Sequence, residues 1–465
     1  MIFQKKKSAP KSTAAEYILG VCAFDSEPSA ALIRDGKVLF EASEGELSGR
    51  NIPGIFPSSA VTEALSRASE AEGTILGVKD LAAVAFHEKP LLKYERFLET
   101  WLANAPGGTA YFKASSHQAF LAKRAGSGLL NKELAAVSWG EEPQLSLFPE
   151  YLLSGAASAF YRSPFEDAAV LVLDGPGEWA SAAIAIGSGE KIKILKEILF
   201  PDSPGRLCSA LAAFAGLKTA KDLFTRAIPS AAATSGKDYA GLIRSELAEL
   251  REDGSLRLNT RYFNPAAGME PDYYRWTELF KLPEGIPGGE LTPEHSAFAA
   301  AALQVLEAAF FMLAAQAKRL TGSNSLCLAG SSPLNLAAGG KLKTSGIFSG
   351  IRVQPPAPAA GRAAGAALAA RHLYFGAKRV PSKPGAGAPE TPPPVSVREG
   401  APAKPGAAAF IRAYLYYYLS VVPAALLRRI KGETGPLIFK KPVAGTPLYA
   451  TRNRLYSRED LENPF

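Results

Sequence analysis

The sequence predicts an α/β fold, and three observations carry that expectation. Apolar runs of strand length end in glycine-bearing loops, as in AAVLVLDGPGEW (residues 168–179) and SLCLAGSSPLN (residues 325–335). A strong turn signal, Asp35-Gly36, separates two further strand-like runs. Helix-length segments with clear stops lie between such runs, the longest being SAFAAAALQVLEAAFFMLAAQAKRLTG, which stops at Gly322. Strand–glycine loop–helix units of this kind build a sheet covered by helices.

Taken in order, YILGVCAF and AALIRDGKVLFEAS read as strands with a hairpin turn at Asp35-Gly36. FPSSAVTEALSRASEAEG reads as a helix started by Ser58 or Ser59 and stopped near Gly73. DLAAVAFHE returns to strand, Ala168 to Leu173 form a buried strand closed by Asp174-Gly175, and ASAAIAIGSGEKIKILKEILF supplies two more strands around the Gly187–Gly189 turn. Asp174 admits two readings: a carboxylate that holds a metal-bound water or phosphate, or a turn-capping group.

The 465 residues allow two or three domains, and the boundaries follow composition. Residues 1–15 are a basic, polar arm with no apolar stretch of signal-peptide length, so a cytoplasmic protein is expected. Residues 16–376 carry the strand and helix signals. Residues 377–409 are a Pro/Ala/Gly-rich linker that holds too little apolar surface to fold. Residues 410–465 form an amphipathic, basic end, in which FIRAYLYYYLSVVPAALLRRI is interrupted by Pro423 and flanked by Arg412, Arg428, Arg429 and Lys431. The stretch 410–431 is short for a membrane span; it reads either as a membrane-surface helix or as a docking helix. Much of the net charge of +8 lies in this end, which argues against a nucleic-acid-binding body. Cys22, Cys208 and Cys327 form no CxxC pair, and His87, His117, His295 and His372 form no i, i+4 pair, so no metal site is predicted from either type.

Seven segments, in order, resemble the O-carbamoyltransferases of nodulation-factor and antibiotic biosynthesis. They are YILGVCAF with SAALIRDGKVL, FHEKPLLKYERFLETWLANAP, SGAASAFYRSPFEDAAVLVLDGPGEW, DGSLRLNTRYFN, LTPEHSAFAAAALQ, SLCLAGSSPLNLAAGGKL and IRVQPPAPAAGRAAGAAL. The resemblance covers about Tyr17 to Ala370. It implies a duplicated ribonuclease-H-like core, the two-lobed architecture of the actin, sugar kinase and Hsp70 group. It also implies transfer of a carbamoyl group from carbamoyl adenylate to a hydroxyl, with ATP-derived nucleotide and metal held between the lobes.

The chain departs from the pattern of that family at the positions that carry its chemistry. Where the resemblance implies histidines in E-H-H-x-x-H-A-A-S-A-F, this chain has Tyr151, Leu152 and Gly155. Leu and Gly bring no ligand atom, so the iron site is expected to be lost. A His-Asp-Ser run is replaced by Ser26, Glu27 and Pro28, and a Glu-Glu-Arg-Phe-Thr-Arg run by Glu44 to Gly49, without its arginines. The loop KTAKDLFTRAIPS keeps little of the family's glycine-rich counterpart, Gly-Gly-Val-Ala-Leu-Asn has become GSSPLN, and the acidic position of Gly-Asp-Ala-Gly is read at Ala359. Asp174 and Glu178 remain as candidates for catalysis; Gly175, Gly177, Gly330, Asn335 and Gly361 remain for binding ATP or carbamoyl adenylate. His87 reads as structural or as a general base, and Lys89, Lys93 and Arg96 as a phosphate-facing cluster or an exposed helix face. No counterpart of an adenylate-forming domain follows Gly376, so the intermediate is expected from another chain. Two functions stand: a degenerate subunit or regulator that pairs with an active carbamoyltransferase, and a divergent carbamoyltransferase.

Overall fold

In a computed structural model that describes residues 16–24, 27–50, 52–113, 127–226, 236–331, 340–354, 358–379 and 381, the first sheet begins with three antiparallel strands. These are β1 (Tyr17–Cys22), β2 (Ser29–Arg34) and β3 (Lys37–Ser43). Asp35 (φ 50°) and Gly36 (φ 83°) turn β2 into β3, and two positive φ angles in a row are what a tight hairpin of right-twisted strands needs. Asp35 also accepts the Glu16 N–H at 3.0 Å. After α1 (Ser58–Glu72), strand β4 (Ala83–Phe86) pairs parallel with β1. Helices α2 (Pro90–Asn104) and α3 (Ser127–Val137) precede β5 (Ser146–Leu147), and α4 (Tyr151–Tyr161) closes the unit. The strand order is β3-β2-β1-β4-β5. β1 is buried along its whole length, which is why its sequence is continuously apolar rather than alternating.

The same pattern then repeats. β6 (Asp167–Leu173), β7 (Ala180–Ser188) and β8 (Lys191–Leu199) form an antiparallel meander. An insertion follows, with α5 (Pro204–Phe214), the strand pair β9 (Ala248–Leu250) and β10 (Leu256–Leu258), and the pair β11 (Phe263–Asn264) and β12 (Glu270–Pro271). Phe214, Trp276, Phe280 and Phe298 stack edge to tilted at its centre, with centroids 4.9–6.2 Å apart. Helix α6 (Pro293–Thr321), β13 (Ser325–Ala329), β14 (Gly350–Val353) and α7 (Pro358–Ala369) complete the second lobe. Its order, β14-β13-β6-β7-β8, is that of the first lobe read from the other edge, with β6, β7, β8, β13 and β14 in the places of β1 to β5. The strand directions match too: β6 is antiparallel to β7 and parallel to β13. The chain is therefore a duplicated ribonuclease-H-like, two-lobed α/β protein.

Helix α6 is, among the described residues, the one helix long and apolar enough to cross a membrane. Here it is a core helix that packs on β6, β7 and α5, capped by Thr292 at one end and Gly322 at the other.

The lobes meet through α7, which runs along α4 and over β1 and β2. Small residues make this possible: a Cβ at Gly365 would fall on the Ser154 carbonyl oxygen, and one at Gly20 on that of Ala363. Arg162 adds a bidentate pair to Glu41, at 2.9 and 3.1 Å.

Two local expectations change. Helix α1 starts at Ser58, but no serine caps it: its N-cap is Pro57, without a side-chain hydrogen bond. The buried Glu44 carboxylate, remote in sequence, accepts the Ser59 and Ala60 N–H groups at 3.2 and 3.1 Å. Glu44→Ala is accordingly expected to lower stability by about 1–2 kcal/mol in a urea titration, and Ser58→Ala by less than about 0.5 kcal/mol. Arg379, assigned by composition to the linker, belongs to the core: it is buried and donates to the carbonyls of Phe160, Ser163 and Phe165. Residues 1–15 and 410–465 lie outside the described residues.

Candidate functional site

Three strand ends converge where the lobes face each other: His87–Lys89 after β4, Asp174–Trp179 after β6, and Gly330–Ser331 after β13. Asp174 is buried, and both of its oxygens are engaged. Oδ1 accepts the Gly175 N–H at 2.8 Å and the Ser331 hydroxyl; Oδ2 accepts the Ser331 N–H at 3.2 Å and Arg362 Nη1 at 3.0 Å. The Arg362 guanidinium lies 4.8 Å from the centroid of the Tyr151 ring. Asp174 thus joins β6, the loop after β13 and helix α7.

Glu178 does the corresponding work for the first lobe. Its carboxylate accepts the Tyr151 N–H at 3.0 and 3.1 Å and the Lys89 N–H at 2.7 Å, so one side chain caps the starts of both α4 and α2. Burial, and after it the nearby Glu88 carboxylate, push its pKa up to about 7. Arg96 reaches the same turn from α2 and donates to the Glu178 and Gly177 carbonyls at 2.5 and 3.1 Å. Burial lowers the Arg96 pKa.

The basic cluster is neither an exposed face nor a free phosphate cradle. Arg96 is buried on the turn, Lys93 pairs with the buried Glu88 at 2.9 Å, and Lys89 pairs with Glu150 at 2.8 Å. His87 is fully buried at the end of β4, its ring 5.9 Å from Tyr151 edge to face and 3.7 Å from Glu88.

The glycines expected to receive nucleotide divide sharply. At Gly175 nothing lies within 4 Å of a hypothetical Cβ. At Gly177 a Cβ would press on the Tyr151 ring, and at Gly361 on the Gln354 side chain. Gly330 adopts φ +100° because its backbone lies against the Leu173 carbonyl, and its N–H donates to Gln354 Oε1 at 3.1 Å. Asn335 lies outside the described residues, as does the side chain of Ala359.

Tyr151, Leu152 and Gly155 stand at the start of α4, all buried. Among the described residues, no three His, Cys, Asp or Glu side chains group as metal ligands. A metal does not fit this donor set: Leu152 and Gly155 offer no ligand atom, and Asp174 already neutralises an arginine. Sequence reading missed Arg362, Ser331, Gln354 and Glu150. The one visible signal was Arg362, a single charge in the Ala-rich run PAAGRAAGAALA.

A family model described as "Carbamoyltransferase N-terminus" matches residues 17–368. The chain is 35% identical over 372 residues to "Uncharacterized protein sll1178" of Synechocystis sp., covering 80% of this chain and 59% of that protein. It is 27% identical over 348 residues to "Nodulation protein NolNO" of Sinorhizobium fredii, covering 74% and 46%. It thus spans about half the length of these curated relatives. Among solved structures, component A of the (R)-2-hydroxyglutaryl-CoA dehydratase of Acidaminococcus fermentans is 13% identical, covers 77% of this chain and 99% of its own, and has a TM-score of 0.36. A ROK hexokinase from Thermus thermophilus is 13% identical, with coverages of 76% and 97% and a TM-score of 0.32.

Proposed function

This chain belongs to the carbamoyltransferase family, and we propose that it is a catalytically degenerate member, a subunit or regulator that pairs with an active O-carbamoyltransferase in the cytoplasm. The observation that carries this reading is the engagement of the cleft's charged groups with one another and with the backbone. Carbamoyl transfer to a hydroxyl needs donors aimed at the developing oxyanion and a base within reach of the hydroxyl proton. Arg96 points at two carbonyls of its own chain, Arg362 at Asp174, and Glu178 at two helix N-termini. Each catalytic donor removed from such a site costs about 10²–10³ in rate, so joint loss leaves a fold without its chemistry.

A second reading, a divergent carbamoyltransferase, is favoured by two features. Of the four candidate glycines, Gly175 is the one at which a hypothetical Cβ meets nothing. Glu178, with a pKa of about 7, has the basicity that a general base needs at neutral pH.

Calorimetric titration of the full chain with Mg-ATP and with a non-hydrolysable carbamoyl-adenylate mimic separates the two. No saturable heat from folded protein is expected. Stoichiometric, tight binding of the mimic would overturn the degenerate reading in favour of the enzyme. Coexpression with an active family member from the same genome is expected to yield a co-eluting complex, and independent elution would remove the subunit role.

A further inference from the structure

We propose that the Arg362 guanidinium is the resident cation of the cleft: a positive charge tethered to the chain that takes the place of a bound metal ion against Asp174. The proposal rests on the degenerate reading above and goes further, because it says what filled the site.

Asp174 is 3% exposed, and a carboxylate at that depth needs a counter-charge as well as hydrogen bonds. Gly175 and Ser331 supply neutral donors; Arg362, itself 3% exposed, supplies the charge at 3.0 Å. Arg362 is otherwise badly placed. It stands in the second turn of α7, a helix buried from residue 360 to its end, where a long charged side chain is costly. The pairing with Asp174 and the contact with the face of Tyr151 offset that cost.

The substitutions are chemically coupled. Tyr151 holds one of the positions where the resemblance implies a histidine, and an aromatic face suits a guanidinium as an imidazole nitrogen suits a metal. Gly361 is followed by Arg362. The acidic position of the family pattern is read at Ala359, and Arg362 stands three residues beyond it, on the next turn of the same helix. Where the resemblance implies a histidine and an acid, this chain has Tyr151 and Ala359, and the Arg362 guanidinium lies against the tyrosine ring. Asp174 is kept, and its counter-charge comes from the chain itself. Unlike an ion, this cation cannot dissociate, so the joint between β6, β13 and α7 stays closed without any metal.

The test is thermal melting of the full-length protein. EDTA, Mn²⁺ and Zn²⁺ are expected to leave the wild-type Tm unchanged. Arg362→Ala is expected to lower Tm by about 5 °C, and millimolar methylguanidinium to restore part of that loss in the variant while giving wild type no gain. An unchanged Tm in Arg362→Ala, or stoichiometric metal in wild type whose removal by EDTA lowers Tm, would overturn the proposal. If Arg362→Ala yields no folded protein, R362M is compared with D174N/R362M. The double variant, which removes both charges, is expected to melt above the single one, and equal or lower melting would overturn the proposal. Binding of the carbamoyl-adenylate mimic would sink the degenerate reading and leave these melting results as they stand.

Discussion

Alanine in place of Arg379 is expected to destabilise the protein by on the order of 4 kcal/mol in chemical denaturation. The guanidinium donates to the carbonyls of Phe160 and Ser163 at 2.7 Å, of Phe165 at 2.6 Å and of Tyr161 at 3.4 Å. Two of these belong to the last residues of α4, where carbonyls have no partner within the helix and where the dipole favours a cation. The ring of Phe160 lies 4.2 Å beneath the guanidinium. Truncation removes the Arg379 donor from the Ser163 and Phe165 carbonyls and opens space at the contact, while the Phe160 carbonyl keeps the Ser163 N–H at 3.0 Å. Arg379→Lys is expected to recover part of the loss, because an ammonium keeps the charge but cannot reach as many carbonyls in one plane. If Arg379→Ala unfolds at the wild-type midpoint, Arg379 is not the cap of α4.

The second large effect is a dependence of stability on pH. Burial pushes Glu178 up to about 7 from the ordinary 4.5, with Glu88 adding to it, and burial pushes Asp202 up to about 7 from 3.8. For an acid whose folded pKa is raised, the folded state holds its proton more tightly than the unfolded chain does. The resulting stabilisation is fully present below the unfolded pKa and is lost as pH rises through the folded one. Stability should therefore fall from about pH 4 to about pH 7, each unit of pKa difference contributing roughly 1.4 kcal/mol per group. His372 acts oppositely: burial lowers its pKa, so it contributes stability that is lost as pH falls. Asp202→Asn preserves an acceptor for the Leu258 N–H, which Asp202 holds at 2.8 Å, and is expected to flatten the fall by about half. Glu178→Gln should remove much of the rest. A wild-type midpoint in urea that is constant from pH 4 to pH 7 would contradict both assignments.

Much of the fold was legible in the sequence because its signals are local. Asp35-Gly36 marks a hairpin wherever it falls between strand-like runs, Gly73 and Gly322 end helices by their freedom at positive φ, and the run Ala168–Leu173 has the length and apolarity of a buried strand. The resemblance to the carbamoyltransferases likewise implied that Tyr151, Leu152 and Gly155 stand where that family places histidines.

What decided the site was the tertiary structure, because hydrogen bonds and ion pairs between distant segments leave no mark on either segment. Nothing near Ser59 announces that Glu44 caps its helix. Nothing in KYERF shows that Arg96 turns inward to carbonyls 81 and 82 residues away, and nothing in the linker-like composition near Arg379 shows that it closes α4. Asp174 read equally as a metal ligand or as a turn cap; it accepts the Gly175 N–H of its own turn, and the fold also placed Arg362, 188 residues on, against it. Burial made that pairing obligatory, and burial is a property of the folded chain.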